Sequence, residues 1–328
     1  MGSSAEGSWA SMDLGSNTFR LLIARPDREG RSLEYRRSRL EVTRLAGRLE
    51  ENGLLDEGAV LRSRRVLASF IEDIRRFGAD RVSAVGTGAV RSARDGQTFA
   101  DNLRRDLGLT LNIIDQRTEA LLTLQGARSV LGMENDLAVI DIGGRSTEVI
   151  VQLSGREPED YGFQLGAVSL YEAHISREPP GPEDLASLED FIGESLRRSS
   201  LPESLPPGMI LAGTGGTFTT LAAVDQNLTR YDRDLVNGYR LTLETIEKIF
   251  REMVSLDVKG RAAMTGLEMG RADIIMTGTA LAAGLLGRLG RKEVTVSDAS
   301  LLEGALMAAV RGEHGLEVTP ADLLKSSI

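Results

Sequence analysis

Cysteine is missing from all 328 residues, so disulfide frameworks, thiolate nucleophiles and Cys-based zinc sites are excluded. Aromatic residues make up only 4% of the chain, too few to supply stacking platforms for bases. Basic residues are outnumbered, 39 against 48 acidic, for a net charge of −9. That balance argues against a nucleic-acid binder, whose affinity rests on a basic face. No apolar run is long enough to span a bilayer. The N-terminus, MGSSAEGS, lacks a basic-plus-apolar signal sequence and reads as an unstructured lead. These absences leave the cytoplasm as the default location, with no membrane and no nucleic acid among the partners. What is present is 41% hydrophobic content and enough length for two domains of ordinary size.

The informative stretch is Ala138 to Val151, AVIDIGGRSTEVIV. An apolar run ends at Asp141, Gly143–Gly144 supply the freedom for a sharp turn, and Ser146, Thr147 and Glu148 lead into a second apolar run. The pattern predicts strand, tight polar loop, strand. Such a loop aims N–H groups and hydroxyls at one spot, which suits a phosphate oxygen, and Asp141 is the hard oxygen ligand that magnesium favours. A Gly-Gly hairpin between buried strands also serves purely structural ends. The pattern occurs twice, however. Trp9 to Arg25 reads WASMDLGSNTFRLLIAR, with Asp13 on Asp141, Gly15 on Gly143 and Ser16 on Gly144. A duplicated domain follows, with two loops facing one another across a cleft.

Taken in order, the chain alternates strands and helices. Ser32 to Leu45 is extended. Asp56 to Phe77 has helical apolar spacing and is closed by Gly78. A strand at Val82 to Val85 runs into GTGAVRSARDG, a strand-to-helix junction with free N–H groups and Arg91 able to fork onto an anion; a solvated arginine at a helix start is the equal alternative. A helix from Thr98 to Leu107 and a strand at Leu109 to Ile114 lead to a helix from about Thr118. Glu119 in its first turn has a plain explanation in the helix dipole. The domain boundary falls in or just after this helix, giving domains 1–125 and 126–328. In the second half, GFQLGAVSLYEA reads as strand and turn, His174 as a surface or capping residue, and Leu185 to Arg198 as helix. Met209 to Ala212 is a strand ending in GTGGTFTTLAA. Helices follow at Thr242 to Val254 and over MGRADIIMTGTALAAGLLGRL. Val294 to Val296 is the last strand, and Ser297–Asp298 caps the closing helix.

Eight of these motifs, in order, resemble the exopolyphosphatase and guanosine-pentaphosphate phosphohydrolase (Ppx/GppA) family of the actin-like ATPase superfamily. They are DLGSNTFRLLIA, TGAVRSARDG, TEALLTLQG, DIGGRSTE, LGAVSLYE, GTGGTFTTLAA, GRADII and VSDASLLEG. The resemblance implies an α/β fold of two ribonuclease-H-like domains with the active site in the cleft between them, in the short branch without a helical HD-type extension. It implies Mg²⁺-dependent release of terminal phosphate from polyphosphate, with guanosine pentaphosphate as an alternative substrate and a homodimer as the assembly. It gives Glu119 the role of catalytic base, reversing the plain reading, and sets Glu148 beside water and metal. Asp141 holds the metal, with Asp13 assisting. Gly15, Ser16, Asn17 and Thr18 hold one phosphate, and Gly143, Gly144, Ser146 and Thr147 its neighbour. Arg20, Arg91 and Arg271 offset substrate charge.

The sequence departs from the family pattern at Arg145, where a third glycine is usual, at Gly88, where serine is common, and at Ser300 and Leu302, in place of Gly and Arg. Arg145 is expected to contact the terminal phosphate and tune chain-length preference. The departures keep open a non-catalytic sensor that binds polyphosphate or a guanosine alarmone in the same cleft, which intact Glu119, Asp141 and Glu148 oppose. A nucleotide-dependent kinase or ATPase is a third reading, disfavoured by the local motifs.

Overall fold

Apolar residues of the first two strands face both ways, Met12, Leu14, Leu21 and Ile23 into one core and Trp9, Leu22 and Ala24 into another, so the sheet they start is covered on both faces. The computed structural model describes residues 7–27, 29, 31–47, 49–132 and 136–325. Residues 1–6 of the polar lead lie outside that set. In chain order the elements are β1 (Ser8–Leu14), β2 (Thr18–Pro26), β3 (Leu33–Val42), α1 (Leu49–Asn52), α2 (Glu57–Arg76), β4 (Ala79–Gly86), α3 (Gly88–Ser92), α4 (Gly96–Leu107), β5 (Leu111–Ile113) and α5 (Gln116–Leu131). Then come β6 (Leu137–Ile142), β7 (Thr147–Gln152), β8 (Glu159–Phe163), α6 (Ala167–His174), α7 (Pro182–Arg198), β9 (Ile210–Thr214), α8 (Gly215–Asp225) and α9 (Arg233–Val236). The chain closes with β10 (Arg240–Thr242), α10 (Leu243–Val254), α11 (Val258–Ala262), α12 (Ile275–Arg288), β11 (Glu293–Val296), α13 (Leu301–Arg311) and β12 (Thr319–Pro320).

The helix ends follow local chemistry. Asp56 caps α2 by accepting from the Ala59 N–H at 2.6 Å, and Thr242 caps α10 from Thr245 at 3.0 Å. Gly78, at φ +66°, takes the left-handed conformation that ends α2. Three expected boundaries differ. GFQLGAVSLYEA, expected as strand and turn, is strand at Gly162–Phe163 but becomes helix from Ala167, started where the Gly166 N–H donates to Ser169 Oγ at 3.0 Å. The long apolar helix begins only at Ile275, after a 3₁₀ turn over Met269–Arg271. The closing helix is capped by Ser300, whose N–H donates to Glu303 Oε2 at 2.9 Å, not by Ser297–Asp298.

Two compact units result, one of Met1–Ser129 with Ala299–Ile328, the other of Val130–Asp298. The expected second domain ran from 126 to the C-terminus; residues 299–328 instead return to the first. The reason is packing. Leu302, Leu306 and Ala309 of α13 bury against Trp9, Leu22 and Ala24 of the first sheet, and β12 pairs antiparallel with β4. On the opposite face, α2 sets Leu67, Phe70, Ile71 and Ile74 against Met12, Leu14, Leu21 and Ile23.

Within each unit the sheet repeats one plan. In the first, β1, β2 and β3 form an antiparallel meander and β4 joins β1 in parallel. In the second, β6, β7 and β8 form the meander and β9 joins β6 in parallel. The duplication read from two short loops thus extends through four strands of each sheet.

Candidate active site

In the first unit, β1 and β2 register Leu14 opposite Phe19 and Asp13 opposite Arg20. The four-residue loop Gly15 to Thr18 is closed by the Gly15 N–H donating to the Thr18 carbonyl at 3.1 Å. Backbone beyond β3 holds it from behind: Thr43 and Arg44 donate to the Asn17 carbonyl at 3.0 and 2.9 Å, and Ala46 to that of Ser16 at 3.0 Å. Asp13 is buried, and its Oδ2 accepts both Nε and Nη2 of Arg20, at 2.9 and 2.8 Å. Arg20 also reaches Ser300 Oγ at 3.5 Å. The second oxygen of Asp13 is buried without a hydrogen-bond partner among the described residues. Asp13 and Arg20 therefore neutralise one another, and Arg20 is not a loose cation.

The second unit repeats this loop with two changes of charge, Arg145 in place of Asn17 and Glu148 in place of Arg20. Ile142 registers with Thr147 and Asp141 with Glu148, and the Gly143 N–H closes the loop onto the Ser146 carbonyl at 2.9 Å. Glu148 thus stands where the first copy has Arg20. Two carboxylates opposite one another on adjacent strands repel, whereas the first copy sets a carboxylate opposite a guanidinium. The loop is fastened to α6: Ala167 donates to the Gly143 carbonyl at 3.0 Å, and Val168 and Ser169 to that of Gly144 at 2.7 and 3.1 Å. The Thr147 hydroxyl is spent on support, buried and donated to the Leu165 carbonyl at 2.6 Å. Arg145 turns outward to Glu172 of α6, 3.1 Å away, both side chains more than half exposed.

At the other predicted positions, Arg91 Nη1 donates to the Ile114 carbonyl at 3.0 Å and to Glu119 Oε2 at 2.7 Å. Glu119 sits in the first turn of α5, which Asp115 starts by accepting from the Thr118 N–H at 2.8 Å. The bonds from Thr118, with Arg117 and Arg91 nearby, hold the Asp115 carboxyl below its usual range. Gly88 lies near the first loop, where a Cβ would sit 2.9 Å from Ser16 Oγ. In the second unit, a Cβ on Gly215 (φ +83°) would come 2.7 Å from Asp141 Oδ1, so the start of α8 closes on that carboxylate. The Arg271 guanidinium lies against Gly216, steadied by Glu268 Oε2 at 3.0 Å from its Nε.

Chemically, each unit offers a tight glycine loop beside an aspartate, and the second adds Glu148 opposite it. Among the described residues no group of three or more His, Asp or Glu could hold a metal alone. Asp141 and Glu148, opposed on β6 and β7, are hard oxygen donors of the kind magnesium takes one or two of from protein.

A family model, the Ppx/GppA phosphatase family, matches residues 28–313. The chain belongs to that family. It is 28% identical over 312 residues to exopolyphosphatase 2 of Mycobacterium tuberculosis, covering 91% of this chain and 97% of the relative. The crystal structure of the Aquifex aeolicus member of the Ppx/GppA family superposes with a TM-score of 0.81 at 29% identity, covering 94% of this chain and 99% of that one. Nucleoside triphosphate hydrolases from Neospora caninum share the fold at a TM-score of 0.56 and 12% identity, with 93% and 92% covered. The fold is thus the two-domain actin-like α/β architecture.

Against the Ppx/GppA pattern, the departures now have local explanations. Leu302 is core, packed on Trp9 and Leu22, and Ser300 both caps α13 and meets Arg20. Sequence reasoning missed Gly166, Glu172 and Glu268. Gly166 had a signal in GFQLGAVSLYEA, read as strand and turn; the two glutamates had none, being solvent-side partners of arginines.

Proposed function

We propose that this phosphatase is a Mg²⁺-dependent exopolyphosphatase that removes the terminal phosphate from inorganic polyphosphate, with guanosine pentaphosphate as a second substrate. The observation that carries the reading is the unlike pairing at one register position, Asp13 with Arg20 but Asp141 with Glu148. A glycine loop beside two opposed carboxylates suits a magnesium–phosphate pair. The name of the mycobacterial relative supports polyphosphate as the substrate.

Asp141 and Glu148 are the residues that would hold magnesium, which supplies neutralisation of phosphate oxygens and orientation of the leaving chain. Gly143, Gly144 and Ser146 hold phosphate oxygens, as do Gly15, Ser16, Asn17 and Thr18. Glu119 takes a proton from the attacking water. The new P–O bond forms at the terminal phosphorus as the bridging P–O bond breaks, giving orthophosphate and a chain one unit shorter. Arg91, beside Glu119, and Arg271, over the start of α8, offset substrate charge.

The first test is a magnesium titration. Asp141→Asn should raise the magnesium concentration needed for half-maximal phosphate release by at least the roughly 10- to 100-fold that losing an outer partner of a metal costs. An unchanged titration would remove Asp141 from the metal site. Parallel assays with polyphosphate, guanosine pentaphosphate and ATP test the substrate. Binding to one with phosphate released from none would replace the enzyme with the sensor.

Arg145 is proposed to swing from Glu172 to a substrate phosphate. Glu172→Gln should then lower KM for polyphosphate by roughly two- to fivefold, the scale of one exposed ion pair, with little change in thermal stability. A KM that stays put for short and long chains alike would show that Arg145 does not touch substrate.

A further inference from the structure

Arg261 is the largest fully buried side chain of the described residues. It lies in α11, away from every glycine loop in sequence. Its Nε donates to the Ala272 carbonyl at 2.7 Å, and Nη1 to the carbonyls of Leu256 and Met253 at 2.8 and 3.3 Å, at the end of α10. Nη2 reaches Glu178 Oε1 at 2.6 Å. The same oxygen accepts from the Tyr171 hydroxyl at 2.9 Å. Burial and the Glu178 carboxylate push the Tyr171 phenol up, so it stays a donor.

The two ends of this network are elements already described. Tyr171 belongs to α6, whose first N–H groups hold the carbonyls of Gly143 and Gly144. Ala272 follows Arg271 directly. A further tie joins the ends: Thr277 Oγ1 donates to the Ala167 carbonyl at 2.6 Å. A buried guanidinium is a poor way to gain stability, since apolar residues of similar volume often do as well or better. Its virtue is geometric, because a planar fork fixes several acceptors in one arrangement.

We propose that Arg261, with Glu178 and Tyr171, is a positioning device that sets Arg271 and the second glycine loop in register for substrate phosphate. The guanidinium holds the Ala272 carbonyl and so the path of the chain at Arg271. Through Glu178 it holds α6, and α6 holds the loop. Arg261 touches no substrate; it acts through Arg271 and through Gly143–Gly144. The inference rests on the proposed phosphate-binding roles of these groups.

The experiment uses the full chain with Glu178→Gln, Tyr171→Phe and Arg261→Lys, each alone and combined with Arg271→Ala. Tyr171→Phe removes a single hydroxyl and guards against a variant that fails to fold. Amide hydrogen exchange at Val168, Ser169, Arg271 and Ala272 reads position without substrate. Phosphate release from polyphosphate reads KM and kcat. The expected result is faster exchange at both ends of the network, with KM raised roughly tenfold by Glu178→Gln and kcat less affected. That increment should shrink in the Arg271→Ala background, because the two changes share one route. Unchanged exchange, with only a lower melting temperature, would overturn the proposal. So would a KM effect undiminished by Arg271→Ala. A wild-type protein that releases no phosphate would count against the proposed function instead, and the exchange data would still decide the network.

Discussion

Glu119→Gln is expected to bind polyphosphate about as well as the parent chain while losing phosphate release by roughly 10²- to 10⁴-fold, the contribution of a positioned general base. The amide keeps the size of the carboxylate and can still accept from Arg91, which now lies 2.7 Å from Glu119 Oε2. The junction between β4 and α3 therefore keeps its shape. What changes is the proton: an amide oxygen cannot take one from water near neutral pH. Arg91 also loses its counter-charge, so affinity for a polyanion should hold or rise. The two effects separate in a single-turnover measurement with enzyme in excess over substrate, beside an equilibrium binding titration. Loss of rate with retained binding supports Glu119 as the base. A wild-type rate would remove it from that role, and joint loss of binding and rate would make it a ligand-binding residue.

Much of this arrangement was legible in the sequence because it is local. Asp-apolar-Gly, a short polar run and an apolar exit favour a hairpin, and both hairpins close with the same backbone bond, Gly15 to Thr18 and Gly143 to Ser146. What escaped depends on partners far away in the chain. Arg20 reads as a cation awaiting substrate until register sets Asp13 opposite it. Thr147 reads as a loop hydroxyl until Leu165 offers its carbonyl. LGAVSLYE has the Val, Leu and Tyr of a strand, yet tertiary context overrides propensity: its first N–H groups find acceptors on the Gly143–Gly144 turn only as a helix. Apolar residues around most of α13 do not say which sheet they cover, and so the return of residues 299–328 to the first unit was out of reach of sequence patterns.

The start of α6 is a place where one methyl group should do severe harm. A Cβ on Gly166 would lie 2.4 Å from the nitrogen of Arg145 and from the carbonyl carbon and oxygen of Gly144. All three are backbone atoms, so no side chain can swing aside. Gly166 has φ −145° and ψ 166°, a conformation any residue adopts, so the penalty of Gly166→Ala is steric rather than conformational. The loop has nowhere to relax without loosening the bonds from Ala167, Val168 and Ser169. Forcing an extra carbon into such a contact costs about 1–3 kcal/mol, measurable as a lowered melting temperature. Function should suffer more, because a displacement near 1 Å at a binding group can cost roughly 10²-fold in rate. Gly287→Ala is the control: that glycine lies within α12 with no atom within 4 Å of the added carbon, and alanine favours helix by roughly 0.5–1 kcal/mol. If Gly166→Ala released phosphate like the parent chain and melted with it, the turn at Gly143–Gly144 would not be the phosphate site, since its position would have been shown not to matter.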